Sequence, residues 1–143
     1  MENKSQYQDM KCFFKNQVKT DITESLVVST RFVDNNTGKP VEFVIRGISE
    51  TENESLRIAA KRPVGNDLKF DSKNYCNRLL VASVVYPNLK NAELQRSWGV
   101  YSAEDLICKM LLAGEYAKLL SAVKKLCGFD ESVQDLKNTV KNS

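Results

Sequence analysis

The stretch SAEDLICKMLLAGEYAKLLSAVKKLCG, residues 102–128, concentrates apolar side chains and decides how the rest of the chain is interpreted. Its apolar residues follow helical spacing in two adjacent stripes, one made of Leu106, Met110, Ala113, Ala117 and Leu120, the other of Leu112, Tyr116, Leu119, Val123 and Leu126. A helix on the surface of a protein needs only one such stripe. The pattern therefore predicts a helical element in the middle of a helical assembly.

Helix-boundary signals occur at both ends and in the middle of this stretch. Ser102 is a favourable N-cap residue, and Gly128 is typical of the position after a helix. Gly114 followed by Glu115 predicts a break that begins a second helix, because glycine costs roughly 1 kcal/mol relative to alanine inside a helix and an acid suits a first turn. We therefore expect two consecutive core helices here.

Two segments upstream have the composition of β-strands. Residues 24–33, ESLVVSTRFV, are rich in β-branched side chains, and residues 40–48, PVEFVIRGI, alternate in polarity. The intervening residues 34–39, DNNTGK, have the composition of a turn. We predict an antiparallel hairpin that packs on helices, since an isolated hairpin is marginal in water.

After Ser49 the sequence predicts helices only. Ser49 and Glu52 have the spacing of a capping box for a helix over residues 49–61. Three more helices are predicted by cap residues and apolar spacing, beginning at Asp71, Asn91 and Asp130. The helix that begins at Asp71 is also expected to be core and to run up to Pro87, and residues 64–70 are expected to be a polar loop.

These elements predict an α+β fold, an N-terminal two-stranded antiparallel β-hairpin packed on a bundle of about five α-helices. Residues 21–143 are expected to form a single domain, with the hairpin at 24–48 and the helical part at 49–141. Residues 1–20 are expected to form a loose N-terminal arm. We expect its aromatic pair, Phe13 and Phe14, to tuck under the domain; the alternative is that the pair docks on a partner.

Composition argues against several classes of function. The net charge is only +3, which is too small to predict binding to nucleic acid or to an anionic membrane. No run approaches the roughly 20 apolar residues that a membrane span needs, so a cytoplasmic protein is expected. The four cysteines lack metal-site spacing and are predicted to be reduced thiols, with Cys108 and Cys127 acting as small hydrophobic residues of the central stretch.

Groups with obvious catalytic potential are scarce. The sequence contains no histidine, which removes the commonest general base and the commonest zinc ligand. Acidic clusters at residues 50–54 and 104–105 lie in predicted first turns, where the helix dipole accounts for them. We therefore expect no catalysis, no cofactor and no metal. A small enzyme that uses carboxylates alone is the alternative.

Several collinear segments, rather than one motif, point to a family. They are TRF at 30–32, GKP at 38–40, FVIR at 43–46, LR at 56–57, Tyr75, LVASVV at 80–85, Pro87, AELQ at 92–95, GV at 99–100, EDL at 104–106 and MLLAGEY at 110–116. In their order and spacing the chain resembles the XkdN-like phage tail assembly chaperones of contractile-tailed phages, PBSX-like prophages and tail-like bacteriocins. The resemblance covers about residues 24–130.

This resemblance implies a role in virion assembly. Such a protein binds the tape measure protein in the cytoplasm of the bacterial host and keeps it soluble while the tail tube assembles, and it is absent from the mature particle. The tail tube protein and a second copy of the chain are further candidate partners. No catalytic residues are implied. The alternative is a minor structural tail component, such as a tail completion or connector subunit.

Binding of such a client calls for an apolar, adaptable surface. The central stretch and the residues before it have more apolar area than one small domain buries. We therefore predict that part of this area contacts the client or a second copy, namely Trp98, Tyr101, Met110, Leu111 and Tyr116. The alternative is that all five are ordinary core residues.

Overall fold

The structure, a computed structural model, describes residues 10–129. Within this range the strands are β1 (Thr23–Leu26), β2 (Phe43–Arg46), β3 (Lys61–Val64), β4 (Asp67–Phe70) and β5 (Val84–Tyr86). The α-helices are α1 (Glu50–Ala59), α2 (Ser72–Ser83), α3 (Ala92–Ser97), α4 (Ala103–Met110) and α5 (Ala113–Leu126). Two short 3₁₀ turns, Met10–Phe13 and Lys15–Gln17, precede them. The predicted α+β class is confirmed; the helix predicted from Asp130 lies outside the described residues.

The N-terminal strands pair as predicted but are shorter. Strands β1 and β2 are antiparallel, with Leu26 opposite Phe43 and Thr23 opposite Arg46. The connection between them, residues 27–42, is longer than the predicted turn at 34–39. Within this connection, Val33 and Pro40 form an isolated antiparallel β-bridge. The chain leaves the ladder after Leu26, although residues 27–33 keep the β-branched composition that predicted a longer strand.

The expectation that only helices follow Ser49 is wrong. Strand β5 pairs with the free side of β2, so that the described part of the chain contains a three-stranded sheet of order β1-β2-β5. Val84 and Val85 therefore belong to a strand, whereas their spacing had extended the predicted helix beyond Ser83. A short apolar run fits both the helical period of about 3.6 residues and the strand period of about two residues. At residues 84–86 the β-branched side chains and the open edge of β2 favour the strand.

A second departure from the prediction lies at residues 61–70. The expected polar loop is an antiparallel hairpin in which Val64 pairs with Asp67 across a two-residue loop, Gly65 and Asn66. Gly65 has φ +63°, which a hairpin turn with glycine at its first central position requires. Gly65 and Asn66 have turn composition, but the polar residues around them were interpreted as a loop rather than as two paired strands.

The predicted helix break in the central stretch exists, but it falls before Gly114. Helix α4 ends at Met110 and α5 begins at Ala113, so Leu111 and Leu112 form the junction. Because the helix is interrupted at this junction, residues before and after it do not lie on one continuous helical face. As a result Leu112 is 59% exposed, whereas Leu119 of the same predicted stripe is fully buried.

Helix α2, rather than residues 102–128, is the most central helix. It packs against α1, α4, α5 and β5. The fully buried apolar side chains come from the sheet and from three of the helices, and they are Ile45, Leu79, Leu80, Leu106, Ile107, Leu119 and Val123. The core thus lies between β2 and the helices α2, α4 and α5.

Two expectations about surface residues are wrong. Phe13 and Phe14 are 75% and 52% exposed, so the pair does not tuck under the domain. Cys108 is exposed rather than a core residue, while Cys127 is partly buried. Within residues 10–129 no helix has the length and apolar character of a membrane span.

Candidate functional site

An open groove of about 390 Å³ lies beside the sheet, where the β1–β2 connection meets the helices. Its apolar lining comes from three places: Phe32, Val33 and Val41 from the connection, Phe43, Tyr86 and Pro87 from the sheet and its end, and Leu94, Trp98 and Met110 from the helical part. The groove is therefore assembled from segments that are far apart in the sequence.

The groove has a buried floor and an exposed rim. Phe43 and Met110 are 2% and 4% exposed, whereas Val33 and Tyr86 at the rim are 45% and 54% exposed. The rings of Phe32 and Phe43 lie 6.1 Å apart between centroids, so the floor is a packed aromatic surface. Exposed apolar residues around a concave apolar floor are typical of a surface that docks a partner.

Arg31 connects the groove to the junction between α4 and α5. Its Nε donates to Glu115 Oε2 at 3.1 Å and its Nη2 donates to Glu115 Oε1 at 2.5 Å, which is a bidentate ion pair. The same Nη2 donates to the carbonyl oxygen of Met110 at 3.0 Å. The guanidinium carbon also lies 5.0 Å from the centroid of the Phe32 ring. These contacts hold one side of the groove against the helices.

The electrostatics of this ion pair favour the charged forms. Hydrogen bonds from Arg31, from the Ser29 hydroxyl and from the Leu112 N–H lower the pKa of Glu115 to about 2. The hydrogen bond with Glu115 raises the pKa of Arg31. Glu115 therefore remains ionised at any pH near neutrality, and the ion pair leaves no net charge at the groove.

The structure brings together two of the five residues predicted to bind a partner. Trp98 and Met110 both line the groove, Trp98 being half-buried and Met110 buried in its floor. Leu111 is buried in the core at 6% exposure. Tyr101 is 93% exposed and does not line the groove. The partner-binding role of these residues stays a prediction.

Tyr116, the fifth predicted residue, lies in contacts within the protein. Its hydroxyl donates to Asn77 Oδ1 at 2.6 Å, and the Lys73 ammonium lies 3.8 Å from its ring centroid. Burial raises the pKa of Tyr116 to about 12. These contacts join α5 to α2 on a face that does not line the groove.

Sequence reasoning missed most of the groove. Arg31, Val33, Val41, Tyr86 and Leu94 were not among the predicted site residues, although each lines it. A weak signal existed in the β-branched and aromatic residues at the ends of the predicted strands. That signal does not show which strand ends lie next to each other, because their arrangement depends on the pairing of β5 with β2.

The acidic residues of the first cluster considered for catalysis, at 50–54, are engaged in ion pairs of the surface. Glu52 accepts two hydrogen bonds from Arg46, at 3.1 and 2.6 Å, and Arg46 lowers the pKa of Glu52. Arg57 pairs with both Glu50 and Glu54. In residues 10–129 no group of three or more histidine, cysteine or acidic side chains is arranged to hold a metal ion.

The fold and the groove define a small α+β protein with an apolar surface suited to binding another macromolecule. The profile of the phage XkdN-like tail assembly chaperone protein family matches residues 10–141. The chain therefore belongs to the XkdN-like phage tail assembly chaperone family, as the order of its segments predicted.

Relatives in one bacterium agree with this assignment. The chain is 31% identical over 121 residues to the uncharacterized protein YqbN of Bacillus subtilis strain 168, with 80% of each chain covered. It is 26% identical over 121 residues to protein XkdN of the phage-like element PBSX of the same strain, covering 80% of this chain and 81% of XkdN. The crystal structure of YqbN superimposes with a TM-score of 0.73 at 27% identity, over 85% of this chain and 98% of that one.

Proposed function

We propose that this tail assembly chaperone binds the tape measure protein in the cytoplasm of the bacterial host and keeps it soluble while the tail tube assembles. It has no catalytic role, and it is absent from the mature contractile tail. The observation that supports this proposal best is the apolar groove with its buried floor and exposed rim. Membership in the tail assembly chaperone family supports the setting of tail assembly.

The size and lining of the groove suit a few apolar side chains of a helical client. Amphipathic helices bind in grooves through apolar residues at spacings of three and four. A volume of about 390 Å³ accepts a few such side chains and not a whole element. Trp98 offers the large apolar contact area typical of residues that dominate binding energy, and Met110 adapts its flexible side chain to different neighbours. The groove is thus suited to bind the apolar stripes of many similar client helices.

Charge contributes little to the proposed binding. The cation at the groove, Arg31, is already paired with Glu115 in two hydrogen bonds. Binding driven by apolar burial should change little between low and physiological salt, because screening acts on charges. This behaviour would distinguish the groove from an electrostatic surface.

The test is coexpression of the chain with its tape measure protein. We expect the chain to copurify with the tape measure protein and to raise its soluble fraction, and we expect mass spectrometry to find no copies in mature tails. Stoichiometric copies in mature tails, with no effect on solubility, would support the alternative of a minor structural tail component.

Matched variants test whether the groove is the surface that binds the client. Val33→Asp places a charge on the groove rim, and Val85→Asp places the same charge at a similarly exposed position that does not line the groove. Tyr86→Ala and Tyr101→Ala form a second pair, inside and outside the groove. We expect Val33→Asp and Tyr86→Ala to lose copurification and the other two to retain it. Equal behaviour within each pair would show that the client binds elsewhere.

A further inference from the structure

The hairpin of β3 and β4 projects from the fold without a core of its own. All residues from 61 to 70 are exposed. The hairpin is attached at its base by the rings of Phe70 and Tyr75, whose centroids lie 5.6 Å apart, and by an ion pair of 3.5 Å between Arg62 and Asp71. Two-stranded hairpins in water are marginal unless they pack on something else. The hairpin is therefore a candidate interaction element.

One edge of this hairpin is blocked and the other is open. The N–H of Asp71 donates to the Ala60 carbonyl at 3.0 Å, so positions 60 and 71 form a hydrogen-bonded pair. Because such pairs alternate, the backbone groups of Leu68 on β4 and Pro63 on β3 point outward. Proline has no N–H to donate, so β3 cannot continue a regular ladder. Strand β4 keeps its outward donors and acceptors, and no other strand of residues 10–129 pairs with them.

The two faces of the hairpin differ in polarity. Cross-strand partners lie on the same face, so the register places Pro63, Leu68 and Phe70 together with Lys61 on one face. Leu68 is 67% exposed and Phe70, which contacts Tyr75, is 50% exposed, so much of this apolar face is uncovered. An open strand edge beside an uncovered apolar face is the usual setting for pairing with another chain.

The charges on the opposite face are unbalanced in a single copy. Arg62 stands directly opposite Lys69, and like charges in that position destabilise a strand pair. Arg62 turns towards Asp71. Neither Asp67 nor Lys69 takes part in an ion pair within residues 10–129. Asp67 and Lys69 flank Leu68, the residue whose backbone points outward.

We propose that β4 pairs antiparallel with β4 of a second copy of this chain, in a register centred on Leu68. The Leu68 residues of the two copies then form a hydrogen-bonded pair, and the two hairpins make one four-stranded sheet. In this register Asp67 of each copy lies opposite Lys69 of the other, so both unpaired charges gain partners. The apolar faces of the two hairpins become continuous.

Other registers are less suitable. A register centred on Lys69 would let the outward backbone groups of Leu68 and Phe70 pair, but it would place the two Lys69 residues opposite each other and Asp67 opposite Asp71, and like charges in these positions destabilise a strand pair. A register centred on Phe70 would extend the pairing into α2, which begins at Ser72. The register centred on Leu68 is therefore the one that satisfies backbone and side chains together.

The proposed contact is small. Each copy contributes one short strand of four residues, and such a contact buries less than the roughly 1,200 Å² of a standard stable interface. We expect a weak dimer whose population rises with protein concentration and falls with salt, since the two Asp67–Lys69 pairs are exposed. This dimer is independent of the groove and of the proposed client.

Charge reversal tests the register by sedimentation velocity over a range of concentrations. Lys69→Glu places a carboxylate opposite Asp67 of the second copy, and Asp67→Lys places an ammonium group opposite Lys69 of the second copy. Each should weaken dimerisation about tenfold, and the double variant Asp67→Lys/Lys69→Glu should restore it to within about threefold. Lys69→Glu also removes the like-charge pair with Arg62 inside the hairpin, so its effect cannot come from loss of the hairpin.

Disulfide trapping gives a second readout. In a chain whose exposed Cys12 and Cys108 are changed to serine, Leu68→Cys should form a disulfide-linked dimer under mild oxidation, because paired strand residues lie within disulfide distance. Arg62→Cys is the matched control on the blocked strand and should stay monomeric. The proposal is overturned by a monomer at every concentration, by equal trapping of both variants, or by a double charge variant no better than the single ones.

Discussion

Leu112 and Leu119 provide the sharpest test of how the central stretch is folded. Both belong to one predicted apolar stripe, and a continuous helix would bury both. The junction at Leu111 and Leu112 instead leaves Leu112 59% exposed and Leu119 fully buried. We therefore expect Leu119→Ala to be strongly destabilising and Leu112→Ala to have a small effect.

The expected magnitudes follow from burial. Changing leucine to alanine removes about three methylene equivalents from Leu119, at about 0.8 kcal/mol each, and the residual cavity raises the loss to about 2–5 kcal/mol. At Leu112 most of the side chain already contacts water, so the loss should stay below about 1 kcal/mol. The difference between the two variants is the informative quantity, because both make the same chemical change in the same helix region.

Urea unfolding followed by circular dichroism measures this difference. With an m-value of about 2 kcal/mol/M, a difference of about 1–5 kcal/mol should separate the midpoints of the two variants by about 0.5–2.5 M. Equal m-values would show that both variants unfold from comparably folded states. Midpoints that coincide, either both near the unmodified protein or both far below it, would refute the placement of the junction.

Two further predictions concern the ion pair and the core. Because the folded pKa of Glu115, about 2, lies below its ordinary value of 4.5, its contribution to stability is complete above pH 4.5 and is lost as the pH falls towards 2. Acid titration of the unfolding midpoint should therefore be steeper for the unmodified protein than for Glu115→Gln, and equal slopes would show that the bidentate contact with Arg31 is absent in solution. Ser83 is fully buried and its hydroxyl has no hydrogen-bond partner among the described residues, so Ser83→Ala should leave the midpoint unchanged or raise it. A loss above about 1 kcal/mol in urea unfolding would mean that the hydroxyl has a partner, such as an ordered water.

Helix starts were predictable because their causes are local. The side chains of Ser49, Asp71, Asn91 and Ser102 each accept a hydrogen bond from the backbone N–H three residues later. Such a cap depends on a cap residue and on the turn that follows it, both of which the sequence displays. The β1–β2 pairing was predictable for a related reason, since alternation and turn composition occur within one short segment.

Strand β5 and the position of the helix junction were not predictable from these signals. Residues 80–85 have a largely apolar run that suits a helix or a buried strand equally. The open edge of β2 decides between them, and residues 43–46 lie about 40 positions earlier in the chain. Similarly, Gly114 marked the break, but the capping contact of Glu115 with the Leu112 N–H moved the helix start to Ala113.

The sequence alone determined the α+β class, most helix starts, the N-terminal hairpin and, through the order of its segments, the family. Only the tertiary structure decided the groove and the open edge of β4. The groove needs Phe32, Tyr86 and Trp98 to meet, and no local preference specifies contacts between segments so far apart. A strand edge is open when no other strand pairs with it, and within the described residues only β3 pairs with β4. The sequence of β4 by itself does not show which strands pair with it. Local caps are encoded where they act, whereas surfaces built from distant segments depend on how the whole chain packs.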